Sequence, residues 1–348
     1  MIISIGNHGV PQGSVLGGLL HLINSNDFPD CHLEGNSVVY VDDDTDVVHE
    51  SDPENLQSLI QQESGNSAQW LSDNRLCVAG EKSKLLVIGT KQLKRQKCSQ
   101  EMSITINGKL IHESSSEKLL GLVVNNELTW KSHLYDDQNN EGLISKLSKR
   151  VGILKHLSKY MSRSRLKEFA SAMFYSKLSY CLPVFGHVFG LNEYKENNSR
   201  YTSFTMSDNR KLQVLQNSVN RILTGAGRET STSSLLEMTD SLSIQQMIAY
   251  QTILMTQKIL LSRKPVYIAN LIFERDKSVN LRSRRLVNQP KCKLCLKSEG
   301  FVARGQSLMN KLDEKVRDKT SLPAFKLALK SWVKNNVSVK PVQHVLRN

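Results

Sequence analysis

The sequence predicts an α+β protein whose first third carries short antiparallel strands and whose remainder is helical. Three observations lead there. Ser37-Val38-Val39-Tyr40-Val41 is a β-rich run broken by Asp42-Asp43-Asp44 and resumed at Thr45-Asp46-Val47-Val48, which reads as strand, turn, strand. Asn107-Gly108 sits inside Ser103 to Ile111 and supplies the two positive-φ residues of a tight hairpin turn. From Leu143 onward the apolar residues recur at the helical period.

Taken in order, Gly9-Val10-Pro11-Gln12-Gly13-Ser14 reads as a loop because of its Gly and Pro content. The apolar run from Val15 to Ile23 is expected to be a buried helix opening after Ser14. Residues 53–72 are helix-compatible, with Leu56, Leu59 and Ile60 on one face and Trp70-Leu71 near the end. Lys84 to Ile88 and Leu119 to Val124 are expected to be short apolar strands. In the helical part, Leu143, Leu147, Val151 and Leu154 share a face. So do Leu166, Phe169, Ala170 and Met173, and then Leu212, Leu215, Val219, Ile222 and Leu223. Tyr194 to Arg210 is polar and reads as a linker or long loop. Residues 276–300 read as a basic loop, and residues 322–335 as a closing helix ending in Trp332-Val333.

At 348 residues the chain can bury the cores of two or three domains. No apolar run approaches the ~20 residues of a membrane span, so no membrane partner is expected. The start, Met1-Ile2-Ile3-Ser4-Ile5-Gly6, lacks a basic segment and a long apolar core, so an intracellular location, nuclear or cytoplasmic, is expected. Six scattered cysteines fit a reducing compartment better than a disulfide scaffold. Cys292-Lys293-Leu294-Cys295 has zinc-like spacing, but other ligands lie far back in sequence, and two free thiols on a basic loop are the favoured reading. No glycine-rich phosphate loop of the P-loop or dinucleotide type occurs.

Charge is unevenly placed. Residues 1–80 hold twelve acidic residues and one basic residue, Arg75, for a net −11, whereas the rest carries +24. The arrangement suits metal ions at the acidic end and a polyanion along the basic end; solvated helix faces are the plainer alternative. Lys146, Lys149, Arg150, Lys155, Lys159, Arg163, Arg165 and Lys167 span two helical segments and would give salt-dependent affinity if they met phosphates.

Carboxylates crowded at a strand turn need a physical reason. Two like charges ~4 Å apart repel by about 4 kcal/mol at an effective dielectric near 20. Water, a proton or a hard divalent cation relieves this, and carboxylate oxygens suit Mg²⁺. Taken alone, Asp42-Asp43 reads first as an exposed acidic turn.

The order of motifs resembles reverse transcriptases of non-LTR retrotransposons. Gly9-Val10-Pro11-Gln12-Gly13-Ser14-Val15-Leu16-Gly17 is similar to the palm segment lining the nucleotide and template pocket. Tyr40-Val41-Asp42-Asp43 is similar to the aromatic-x-Asp-Asp signature. Asn74-Arg75-Leu76 and Lys82-Ser83-Lys84-Leu85-Leu86-Val87-Ile88-Gly89 resemble the downstream palm segment. Leu119-Leu120-Gly121-Leu122, Leu128-Thr129-Trp130 and His133 resemble the primer grip. Leu178 to Gly186 and Leu215-Gln216-Asn217 resemble the thumb and post-thumb region.

The resemblance implies a partial polymerase palm over residues 1–125, a thumb-like helical region over 126–192 and a basic helical C-terminal region over 193–348. It implies an RNA-directed DNA polymerase acting on an RNA template, a DNA primer and a dNTP. Asp42 and Asp43 would be the catalytic, Mg²⁺-binding carboxylates, with Mn²⁺ an alternative ion. Gln12, Gly13 and Tyr40 would approach the nucleotide and template, and Lys82 would compensate charge or donate a proton to the pyrophosphate. Lys82 reads equally well as a surface lysine before a strand. Asp44 and Asp46 depart from the family pattern and gain no role from it. The family's further essential Asp lies upstream of the segment that here begins at Gly9, and the eight preceding residues contain no acidic residue. The chain is therefore expected to be a C-terminal fragment, inactive or very weak by itself. The alternative is a non-catalytic nucleic-acid-binding module.

Overall fold

The computed structural model describes residues 13–41, 43–89, 101–135, 141–189, 204–272, 287, 300–319 and 321–339. The chain is a mixed α+β protein, helical for the most part, and divides into two compact units. The first comprises residues 1–117 and 125–127, the second 118–124 and 128–348.

In the first unit, helix α1 (Gly17–Asn24) leads through a 3-10 turn (Phe28–Cys31) into the antiparallel hairpin β1 (Asn36–Tyr40) and β2 (Asp43–Val47). The apolar run after Ser14 is thus a helix, but not a buried one: Leu16, Leu19, Leu20, Leu22 and Ile23 are all exposed. Its eight residues present apolar side chains around most of the circumference, more than one neighbour can cover. Helix α2 (Pro53–Asp73) starts where Asp52 caps it by accepting the N–H groups of Glu54 and Asn55, with Pro53 preset for the first turn.

Leu56 and Ile60 of α2 pack on a small core of Leu85, Met102, Ile104 and Ile111. Ile104 and Ile111 come from the hairpin β3 (Ser103–Ile106) and β4 (Lys109–His112). Its Asn107-Gly108 turn has φ of +50° and +76°, the primed geometry the sequence requires. The side-chain amide of Gln61 reads the Thr105 backbone in both directions at 2.8 Å, fastening α2 to β3. Lys84 to Ile88 is not a strand. Leu85 alone makes a parallel bridge to Glu113, and its carbonyl accepts the Ser114 N–H instead of continuing a ladder.

The segment expected as one strand over 119–124 is a hairpin, β5 (Ser116–Leu119) and β6 (Leu122–Asn125), turning at Leu120 and Gly121 with φ of +45° and +86°. In the second unit Tyr180 donates to the Leu120 carbonyl at 2.5 Å, holding that turn open.

The second unit is a helical assembly around one large core. Helix α3 (Leu143–Leu157) buries Leu143, Leu147 and Leu154 as its period dictates. Helix α4 (Arg163–Ala170) runs on through a π-turn over Ser171–Tyr175 into Ser176–Ser179. Burial proceeds Leu166, Ala170, Phe174, Leu178: Phe169 is already exposed in α4, and the residue added by the π-turn buries Phe174 in place of Met173. Residues 194–203 of the linker expected over 194–210 lie outside the described residues, and its last five residues are helical. Thr205 forms a capping box with Asp208 and opens helix α5 (Met206–Thr224). Helices α6 (Thr232–Thr239), α7 (Ile244–Ser262), α8 (Phe301–Asn310) and α9 (Leu322–Asn336) complete the unit. The basic loop expected over 276–300 falls outside the described residues apart from Val287 and Gly300.

Candidate functional site

The acidic turn is tighter than the sequence suggests. Strand register runs Asn36↔Val47, Ser37↔Asp46, Val38↔Thr45, Val39↔Asp44 and Tyr40↔Asp43. Asp43 and Asp44 therefore lie in the ladder, and only two residues separate the paired Tyr40 and Asp43. Val41 takes φ +62°, a left-handed conformation that a β-branched residue adopts only at a cost. His21 Nε2 lies 3.1 Å from the Val41 carbonyl and donates to it, bracing the turn from α1.

Of the residues singled out for chemistry, Asp42 and Gln12 lie outside the described residues. Asp43 and Tyr40 are exposed at the hairpin tip. Gly13 has φ +83° with open space where a Cβ would stand. Lys82 is exposed in the turn that its N–H closes on the Ala79 carbonyl at 2.8 Å. Among the described residues, no side-chain hydrogen bond or ion pair joins Gly13, Tyr40, Asp43 and Lys82. The Asp43 carboxylate is a hard oxygen donor, accessible to solvent, and fits a Mg²⁺ ligand in kind.

The other face of the hairpin carries a second constellation that sequence reasoning missed. Successive strand residues point to opposite faces, so Asp44 and Asp46 share one face and Asp43 belongs to the other. Asp46 Oδ1 stands 3.0 Å from His32 Nε2, and His32 Nδ1 stands 3.0 Å from Glu63 Oε2. The His32 and Glu63 side chains are each 1% exposed. Glu63, projecting from α2, also accepts the N–H groups of Glu34 at 2.9 Å and Leu33 at 3.2 Å. Ser37 Oγ donates to Asp44 Oδ1 at 2.6 Å, and Ser67 Oγ to Asp46 Oδ2 at 3.2 Å. Phe28 closes the site from below, edge-on to His32 and to Trp70.

The electrostatics reflect this geometry. Burial, then the charge of Asp44, pushes the Asp46 carboxyl up to about 6 against the pull of His32. Burial also pushes Glu63 up, but the donors Glu34 N–H, His32 and Leu33 N–H outweigh it and hold the group below the usual carboxylate range. Burial and the carboxylates of Asp46, Asp44 and Glu63 raise the neighbouring Cys31 thiol to about 11, so it is not a ready nucleophile. His32 and Glu63 lie 31 residues apart, and no local pattern links them.

In the second unit the basic residues of α3 and α4 are distributed unevenly. Lys155, Lys159, Arg163, Arg165 and Lys167 are exposed, whereas Arg150 turns inward to the Met173 carbonyl. Lys149 pairs with Glu141 at 2.7 Å. Among the described residues no helix is long and apolar enough to cross a membrane. The chain matches no family model, no curated protein and no solved structure.

Proposed function

We propose that the chain is part of a non-LTR retroelement reverse transcriptase, with a partial polymerase palm at residues 1–125, a thumb-like region at 126–192 and a basic helical region at 193–348. The observation that carries this reading is the Tyr40↔Asp43 pairing. It sets Tyr40 and Asp43 opposite one another at the end of the hairpin, with Asp43 open to solvent, as a polymerase carboxylate must be to reach a substrate. The exposed lysines and arginines of α3 and α4 support contact with a nucleic-acid backbone.

The reaction is attack of a primer 3′-hydroxyl on the α-phosphate of a dNTP, with pyrophosphate leaving. Asp42 and Asp43 would hold Mg²⁺ or Mn²⁺, which when bound stabilises the charge of the attacking and leaving oxygens. Gly13, free of a Cβ, lets backbone approach the nucleotide, with Gln12 beside it and Tyr40 at the hairpin tip. Lys82 offers its ammonium to the leaving pyrophosphate. Such carboxylates act as a unit, so replacing one of them commonly costs several orders of magnitude in rate.

Primer extension on an RNA template with Mg²⁺ or Mn²⁺, beside binding isotherms at two salt concentrations, tests both halves. Salt-dependent binding is expected, and any extension should be abolished by Asp42→Asn. Failure to bind nucleic acid at low salt would overturn the reading itself. A second reading, a binding module without catalysis, is favoured by the same exposed cations. It is distinguished by binding that Asp42→Asn and Asp43→Asn leave unchanged in the presence of Mg²⁺.

A further inference from the structure

We infer that the face of the hairpin opposite Asp43 holds a divalent transition-metal site, for which Zn²⁺ is the fitting ion, made by His32 Nε2 and the carboxylates of Asp44 and Asp46. The inference concerns residues outside the polymerase pair and does not rest on the polymerase reading.

The three side chains each bring a ligand atom within 4.8 Å of the other two. An ion with bonds of about 2.0–2.1 Å to an imidazole nitrogen and a carboxylate oxygen, meeting at a tetrahedral angle, places those atoms about 3.3 Å apart. His32 Nε2 and Asp46 Oδ1 stand at 3.0 Å, so a few tenths of an ångström of opening admits the ion. The strand period fixes the other carboxylate on the same face, because Asp44 and Asp46 are two residues apart in β2.

What sets this group apart from an acidic surface cluster is the histidine and how it is held. Its side chain is 1% exposed, and its far nitrogen faces a carboxylate that is itself fixed by two backbone N–H groups. That is the carboxylate–histidine–metal arrangement, in which the outer carboxylate sets the tautomer and leaves Nε2 to bind the ion. Ser37 and Ser67 orient the two ligand carboxylates in turn. Any proton that Nε2 holds toward Asp46 is released to solvent on binding, and the ion takes its place between nitrogen and oxygen. A nitrogen and two oxygens suit Zn²⁺ better than Mg²⁺, which avoids imidazole. The ion would tie the 3-10 turn to β2, and through Glu63 to α2, within the first unit.

The test is calorimetric titration of the full chain with ZnCl₂ under a non-chelating reductant. A Cys292→Ser, Cys295→Ser background removes the Cys-x-x-Cys pair from competition. One equivalent of Zn²⁺ is expected, not displaced by a hundredfold excess of MgCl₂. Asp44→Asn decides the matter, because Asp44 is exposed and its replacement leaves the fold intact. It should weaken Zn²⁺ at least tenfold, and His32→Gln at least a hundredfold. Glu63→Gln should weaken it ten- to a hundredfold, the size of an outer-shell loss. Glu54→Gln, an exposed carboxylate outside the site, should change nothing. Absence of Zn²⁺ uptake, equal affinity in Asp44→Asn, or loss of affinity in Glu54→Gln would each overturn the assignment. None of these outcomes bears on nucleic-acid binding, so the two proposals fail separately.

Discussion

Replacing Glu63 by Gln should loosen the first unit locally and measurably. Glu63 is 1% exposed and collects three donors, the N–H groups of Leu33 and Glu34 and Nδ1 of His32. Glutamine keeps one acceptor oxygen and sets an NH₂ group where the other oxygen stood, so a donor then faces a donor. A hydrogen bond to a charged group is worth about 1.5–3 kcal/mol, and a buried donor left unsatisfied costs about 1–3 kcal/mol. Because one acceptor survives, a loss of about 2–4 kcal/mol is expected. That is a large share of what a core as small as Leu85, Met102, Ile104 and Ile111 can supply. Hydrogen exchange by mass spectrometry reads it directly, since the Leu33 and Glu34 amides are the donors concerned. A loss of about 3 kcal/mol corresponds to roughly a hundredfold faster exchange there. Gln61→Ala is the control, because it should free the Thr105 amide and spare residues 33 and 34. Exchange of Leu33 and Glu34 within threefold of the unsubstituted chain in Glu63→Gln would refute the reasoning.

Other substitutions and conditions have equally definite outcomes. Val41→Gly should stabilise the hairpin by about 1 kcal/mol, since glycine relieves a left-handed β-branched residue but adds freedom to the unfolded chain; a lower urea midpoint would contradict this. Asp46 is raised from 3.8 to about 6 in the folded chain, so the fold binds that proton more tightly than the unfolded state does. Its contribution is therefore complete below about pH 4 and disappears as pH climbs through about 6. Glu63 is lowered from 4.5, so its contribution is present above that value and is lost as the pH falls through its folded value. Protection of the α2 amides, corrected for intrinsic rates, should accordingly fall between pH 4 and 6, and Asp46→Asn should flatten that fall. Gly305→Ala would drive a Cβ onto Thr256 Oγ1 where α8 crosses α7. The overpacking, about 1–3 kcal/mol, exceeds the ~1 kcal/mol gain in helix propensity, so the thermal midpoint should drop. Thr256→Ala in the same chain should return part of the loss, and an unchanged midpoint in Gly305→Ala alone would sink the idea.

Where local chemistry decides structure, the sequence could be read. The Asn107-Gly108 turn follows from two residues that tolerate positive φ. The buried stripe of Leu143, Leu147 and Leu154 follows from the helical period alone. Reading fails where a long-range contact overrides the local preference. Leu120 has no intrinsic taste for φ +45°, yet it turns a hairpin because Tyr180 holds its carbonyl from sixty residues away. A π-turn over Ser171–Tyr175 moved the core stripe from Met173 to Phe174 and Leu178, and no residue in the turn announces it. Leu85 looks like the centre of a strand because it is buried, but burial and ladder pairing are separate properties and it has only one bridge.

The acidic run shows the same division at the candidate site. In sequence, Asp42, Asp43, Asp44 and Asp46 form one block of negative charge, and Coulomb repulsion asks for one explanation. The strand period splits that block. Asp43 goes to one face and stays open to solvent, while Asp44 and Asp46 go to the other and meet a buried imidazole. The repulsion between Asp44 and Asp46 is relieved locally, by His32 and by the hydroxyls of Ser37 and Ser67. A catalytic ion at Asp43 is therefore not needed to explain why the chain tolerates Asp44 and Asp46. The two carboxylates that had no place in the polymerase pattern have one in the His32 site. Support for a polymerase then comes from the turn itself, from Tyr40 and Asp43 paired across a two-residue tip.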